Sequence, residues 1–311
     1  MSPVIRRMRA ADLAEATRIW RLAFATFFRE PDPSQYRLDI ATIETRFATD
    51  PANAFVAEHE GRLLGSVIGM SWGTQFVLGP LTVDPAFWGQ GVARALTRRI
   101  LDEADARGAG LVTLFTFPQS ATHLRLYESV GFAPMHLTPV MAKPVASPAP
   151  AAAFRLFSSL ASREQEAALA RCRALTERIY PGLDVTREIL ACETQRLGET
   201  VLTETDGALA GVALTHFGAG TEAGEGVAFV KFAAVAPGAA IEFERLLDAI
   251  ENLAAQRTLE RIIAGINTAR RHAYRRLLAR GFRAGFVGVA MHRPDEPGTL
   301  RPELYVIDDW R

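Results

Sequence analysis

From Leu63 to Val83 the chain carries no charged residue, and apolar positions run almost unbroken on both sides of Gly73-Thr74. Such a run reads as two strands buried on both faces and joined by a tight turn. The spacing of Gly65, Gly69 and Gly73 also suits a membrane helix with a small-residue face. Ser66, Ser71, Thr74, Gln75 and the Gly79-Pro80 breaker favour the strands, so no membrane span is expected. Past Val83 the period changes. Val92, Leu96, Ile100 and Ala104 form the apolar stripe of a helix, with Gly108 as its left-handed C-cap. The first half then reads as strand Val4–Arg9, helix Leu13–Phe28, hairpin strands Phe55–Glu58 and Leu63–Met70, and strand Phe76–Val83. Helix Val92–Ala106, strand Leu111–Phe117, helix Thr122–Val130 and a last strand near Leu137–Met141 follow. This is a mixed α/β domain with one central sheet flanked by helices.

The pattern repeats. Glu58-His59-Glu60-Gly61-Arg62-Leu63-Leu64-Gly65 recurs as Glu204-Thr205-Asp206-Gly207-Ala208-Leu209-Ala210-Gly211. Each places an acidic residue and a glycine between two apolar runs, a hairpin signal. Val83-Asp84-Pro85 recurs as Val235-Ala236-Pro237, and Gly131-Phe132 as Gly281-Phe282. Gly61 and Gly207, Val83 and Val235, and Gly131 and Gly281 stand 146, 152 and 150 residues apart. A duplicated domain explains so constant an offset. Between the copies, Lys143 to Pro150 is rich in proline and is followed by three alanines, an extended linker. The expected division is a first domain over 1–143, a linker over 144–153 and a second domain over 154–311.

Composition narrows the class. The 311 residues suit two domains, and 35 Lys and Arg against 35 Asp and Glu leave no net charge. That balance argues against a nucleic-acid partner. Two cysteines, Cys172 and Cys192, make neither a disulfide scaffold nor a metal site, and no metal is called for. A reducing, cytoplasmic compartment fits. The N-terminus lacks the apolar core of a signal peptide.

The segment Leu81 to Leu96 carries the chemistry. A strand ends at Val83, a turn with Gly89 and Gly91 follows, and a helix begins at Val92. Glycines there let backbone approach a ligand closely, and the free N–H groups of a helix start favour an anion, above all a phosphate. The run resembles the pyrophosphate loop of the GNAT superfamily, the acetyl-CoA-dependent N-acetyltransferases. Gly91 and Ala93 match the last landmarks of that loop, whereas Trp88 stands where the family has Arg or Gln. Leu126-Tyr127-Glu128-Ser129-Val130-Gly131-Phe132 resembles a second family element. The resemblance covers about Val4 to Met141 well and is eroded over Phe154 to His292.

The resemblance implies acetyl-CoA as cosubstrate. Leu81, Thr82 and Val83 would offer backbone groups to the pantetheine arm. Trp88, Gly89, Gln90, Gly91, Val92, Ala93 and Arg94 would wrap the pyrophosphate. Ser120 would cap the next helix where the family often has a coenzyme-contacting Asn. Tyr127 would protonate the departing thiolate. The carboxylate that serves many family members as base is missing, since no acidic residue lies between Arg62 and Asp84. Asp84 reads as a support of the turn. His123, four residues before Tyr127 on the same helical face, is the candidate base. Glu58 and His59 near a hairpin turn are weaker candidates.

The second half lacks these features. Gly238 stands alone, and Glu242 and Glu244 fall at the helix start, where they can satisfy the helix dipole in place of a phosphate. Leu277 stands where the first half has Tyr127, with Tyr274 a turn earlier. This copy is expected to be degenerate and to shape the acceptor site or pair with a second chain as a homodimer. The apolar closing segment from Tyr305 to Arg311 is expected to dock. Together these features point to an N-acetyltransferase acting on a small-molecule amine. A protein lysine or N-terminal acetyltransferase, or a non-catalytic acyl-CoA-binding module, are the alternatives.

Overall fold

The computed structural model describes residues 3–146 and 153–308. The first half opens with strand β1 (Val4–Arg7) and helices α1 (Leu13–Phe28) and α2 (Thr42–Thr49). Strands β2 (Ala54–His59), β3 (Arg62–Trp72) and β4 (Gln75–Val83) follow, then α3 (Val92–Ala106), β5 (Leu111–Thr116), α4 (Ala121–Glu128) and β6 (Ala133–Pro144). The second half repeats this order with β7 (Phe154–Leu156), α5 (Ser162–Glu177), α6 (Thr186–Gln195), β8 (Gly198–Thr205), β9 (Ala208–Gly218) and β10 (Gly224–Val235). It continues with α7 (Ala240–Gln256), β11 (Arg261–Gly265), α8 (Arg271–Ala279) and β12 (Arg283–Arg293), and adds β13 (Val306–Asp308).

The turn chemistry explains the repeat. Glu60-Gly61 and Asp206-Gly207 both adopt two successive positive φ values, the turn that matches the twist of a two-residue hairpin. The uncharged run is a hairpin, β3 to β4, around Gly73. A Cβ at Gly73 would meet the Gly182 carbonyl oxygen at 1.9 Å, so only glycine lets the tip dock on the second half. Of the sequence segments discussed above, Ser147–Ala152 of the linker and Asp309–Arg311 lie outside the described residues.

The central sheets of the two halves are continuous. All strands join one sheet in the order β1-β2-β3-β4-β5-β12-β6-β11-β10-β9-β8-β7, with β13 on β10. Strand β6 of the first half and strand β12 of the second cross over to the other half's sheet. β12 pairs with β5, β6 pairs with β11, and β6 and β12 pair with each other from Leu137 to Ala142 and beyond. Long antiparallel ladders satisfy the edges that two separate sheets would leave open. Helices α1 and α2 cover one face of the first half over Ile19, Trp20, Ile43, Val56 and Ile68. The other face holds α3 and α4 over Val67, Leu78, Leu96, Ile100 and Tyr127. Met70, Trp72 and Val77 of the first half share a core with α5 and α6, so the halves are packed together.

Candidate active site

A gap in the sheet organises the first half. Strands β4 and β5 are parallel and pair only from Gln75–Leu111 to Leu78–Leu114. Beyond Leu78, β4 bulges at Gly79-Pro80 and stays with β3. β5 keeps β12 on its other edge from Val112 to Thr116, and past Leu114 it has no pairing with β4. Residues Gly79 to Val83 therefore line one side of a V. The Asp84 N–H donates to the Leu64 carbonyl at 2.8 Å. Antiparallel alternation then aims the backbone groups of Thr82 at β3 and those of Leu81 and Val83 into the gap. This corrects one expectation, because Thr82 has no backbone group free for a ligand. The Trp88 indole N–H also takes the Val83 carbonyl at 2.7 Å. The groups facing the gap are the N–H and C=O of Leu81 and the N–H of Val83.

At the wide end of the V sits the glycine turn. Gly89 and Gly91 have φ of +75° and +83°, and a Cβ built on either meets nothing within 4 Å. Open space beside left-handed glycines is what a ligand held by backbone requires. Gly91 is the N-cap of α3 and no side chain caps the helix. The first N–H groups of α3, at Val92, Ala93 and Arg94, have no intrahelical acceptor. No acidic residue stands in the first turn. Gly89, Gln90, Gly91, Trp88 and Arg94 are exposed, while Val92 is buried as the first residue of the apolar stripe. Asp84 holds the turn from beneath, accepting from the Ala86 N–H at 3.0 Å and facing Arg18 and Arg62 at 3.4 Å. That engagement removes it as a base.

Helix α4 brings in the remaining groups. The Ser120 hydroxyl caps it, accepting from the His123 N–H at 3.3 Å. His123 is half-buried, and burial holds its imidazole below the ordinary value. A neutral imidazole near pH 7 can accept a proton. Tyr127 is buried against Phe132 at 5.9 Å between ring centroids. Burial pushes its phenol well above the ordinary value, so it stays a donor. Glu58 is paired with Arg6 at 2.7 Å and His59 lies on the exposed hairpin, so neither reaches the gap. Sequence reasoning missed the aromatic groups here. Phe27 of α1 stacks on His123 at 5.1 Å and meets Phe117 at 4.7 Å. The Phe24-x-x-Phe27-Phe28 spacing at the end of α1 was their visible signal.

The second half forms the same V and fills it. β10 and β11 pair from Val227–Arg261 to Val230–Ala264. Beyond that, Phe232, Ala233 and Ala234 pair with Asp308, Ile307 and Val306 of β13. Val235 N–H donates to the Tyr305 carbonyl, and Gly238 N–H to the Glu303 carbonyl, both at 3.3 Å. Arg270, fully buried, forms an ion pair with Asp308 and donates to the Thr299 carbonyl at 2.9 Å. Tyr305 packs on Phe243 of α7 at 5.3 Å. The closing segment docks as far as Asp308. The expected role of the carboxylates is corrected. Glu242 accepts from Thr205 at 2.9 Å, and Glu244 pairs with Arg280 at 2.9 Å. Main-chain carbonyls, not those side chains, occupy the turn. Leu277 is fully buried, as its apolar character requires.

Comparison with known proteins agrees with this geometry. Residues 15–132 match the model of the Acetyltransferase (GNAT) family. A mycothiol acetyltransferase of Thermomonospora curvata is 40% identical over 91 residues, covering 27% of this chain and 28% of that protein. One of Nocardia farcinica is 30% identical over 138 residues, covering 41% of this chain and 44% of that protein. The chain thus spans less than half the length of these relatives. The crystal structure of a putative acetyltransferase from Pyrococcus horikoshii superposes with a TM-score of 0.70 at 14% identity, covering 99% of this chain and 95% of that one. The shared fold therefore extends over both halves and the sheet that joins them. Residues 15–132, which carry the open cleft and its glycine turn, are thus similar to the acetyltransferase (GNAT) family.

Proposed function

We propose that this chain is an acetyl-CoA-dependent N-acetyltransferase that moves an acetyl group to a primary amine of a small molecule. The observation that carries the reading is the open β4–β5 gap with two left-handed glycines and an uncapped, acid-free helix start at its mouth. The fit is chemical. Pyrophosphate needs converging N–H groups and no competing negative charge, and Gly89 to Arg94 provide both. The N–H and C=O of Leu81 and the N–H of Val83 would pair with the amides of the pantetheine arm. The Ser120 hydroxyl would hydrogen-bond the coenzyme. Bound acetyl-CoA supplies an activated acyl carbon.

The chain's residues then do the proton work. His123 takes a proton from the attacking amine, directly or through water. Tyr127 donates its phenolic proton to the sulfur as the thiolate leaves. The first cleft belongs to residues 1–143, the linker to 144–153 and the filled copy to 154–311. The two cysteines are free and buried, in keeping with a reducing cytoplasm. Thiol release from acetyl-CoA across a panel of amines tests the reading. Release that needs an amine supports it. Tight coenzyme binding without release on any amine contradicts it and leaves a binding module.

A further inference from the structure

Aromatic side chains cross the gap of the first cleft. Helix α1, which carries Phe24, Phe27 and Phe28, lies on one face of the sheet, and α4, which carries His123 and Tyr127, lies on the other. Yet Phe27 stacks on His123 at 5.1 Å with the ring planes 26° apart. Helices on opposite faces touch only through an opening or past the end of a strand. The opening here is the β4–β5 gap, and Phe117 is the first residue beyond β5. Phe117 meets Phe27 at 4.7 Å and stands edge-on to Phe28 at 5.3 Å. Phe286, on β12 of the second half, meets Phe115 at 5.9 Å and Phe117 at 6.4 Å.

We infer that this cluster is the acceptor subsite, and that it takes a small amine carried on an aromatic or otherwise apolar body. The inference rests on the transferase reading above and names the substrate class of that site. Position is the first argument. His123 lies one helical turn from Tyr127 on the same face, so an acyl group whose sulfur meets the Tyr127 hydroxyl sits beside these rings. Chemistry is the second. The groups that meet here are rings and one imidazole held neutral by burial. A polyamine or a sugar amine would leave its hydration with few partners to replace it. An aryl body regains stacking and apolar burial, and its ammonium end can rest on a ring face before losing a proton. Access is the third. Phe28 is 39% exposed, which opens the cluster to solvent at the end of α1. The rings now contact one another, so an entering ring exchanges one such contact for another. Through Phe286, the second half would contribute to the acceptor site of the first.

Steady-state thiol release from acetyl-CoA with 2-phenylethylamine, spermidine and D-glucosamine tests this. The kcat/KM for 2-phenylethylamine is expected to exceed the other two by at least about tenfold. Phe27→Ala and Phe28→Ala should each raise its KM roughly tenfold or more and leave the calorimetric Kd of acetyl-CoA unchanged. Phe27→Leu, which keeps most of the volume, should restore thermal stability while recovering only part of the KM. Turnover of spermidine or glucosamine equal to or better than that of 2-phenylethylamine overturns the inference and leaves the transferase standing. An unchanged KM in folded Phe27→Ala and Phe28→Ala does the same. Coenzyme binding with no thiol released by any of the three amines overturns the transferase reading, and this inference with it.

Discussion

The two clefts start from one strand pairing and end differently. β4 and β5 pair over Gln75–Leu78, and β10 and β11 over Val227–Val230, the same positions 152 residues on. Past that point the first V stays open and the second receives β13. The connection from strand to helix runs from Asp84 to Gly91 in the first half and only from Ala236 to Ala239 in the second. The shorter turn offers fewer backbone N–H groups to an anion. Yet a splayed strand still exposes N–H and C=O groups that must be paired. The second half pairs them with its own backbone, and Arg270 locks the plug through Asp308. In the first half the N–H and C=O of Leu81 and the N–H of Val83 face the open gap. A cleft is thus closed by filling it as much as by losing its residues.

The largest expected effect concerns the group that the copies do not share. Tyr127→Phe should lower kcat by about 10²–10⁴ while the Kd of acetyl-CoA holds, because only a proton donor is deleted. Equal kcat in mutant and wild type would make Tyr127 a core residue like Leu277. Next in size is the lock of the filled cleft. Arg270→Met strands the Asp308 carboxylate in the interior and should cost about 3–5 kcal/mol in urea unfolding. A loss below 1 kcal/mol would mean β13 is held by its backbone alone, about one unmade hydrogen bond being worth that much.

Acid should weaken the second half's strands. His216 and His292 lie on β9 and β12, and burial pushes each down to about 4 from the ordinary 6.5. Between those values the unfolded chain binds protons that the folded chain refuses, so stability falls as pH drops through that window. Unfolding free energies at pH 7 and pH 4.5 check the slope, and His216→Phe should flatten it. The smallest effect sharpens the comparison by its absence. Gly238→Glu puts a side chain and a charge at the filled turn, where φ is +77° and a Cβ meets nothing. It should cost roughly 1–2 kcal/mol of backbone strain and leave acetyl-CoA affinity unchanged.

Much of this was legible because it is local. Hairpin turns at Gly61 and Gly207, the α3 stripe and the glycine turn at Gly89 and Gly91 are written in short spans of sequence. The apolar closing segment marked itself as docked by its composition. What escaped was non-local. The exchange of β6 and β12 depends on pairing between strands some 150 residues apart, which periodicity does not encode. The spending of Thr82 on β3 follows from register, and the engagement of the Val83 carbonyl from the reach of Trp88. In sequence the charges at Glu242 and Glu244 read as stand-ins for a phosphate at the helix start, yet Thr205, Arg276 and Arg280 claim them in space. Phe27 and His123 lie far apart in sequence and meet only in the folded chain.

The central claim is that one cleft is open to coenzyme and the other is closed by the chain itself. Calorimetric titration of the intact chain with acetyl-CoA tests it most directly, run beside Gly91→Glu. One site per chain is expected, weakened about a hundredfold or more in the variant, where a left-handed N-cap gains a side chain and a negative charge. Two sites per chain, or a single site whose affinity survives Gly91→Glu, would contradict it.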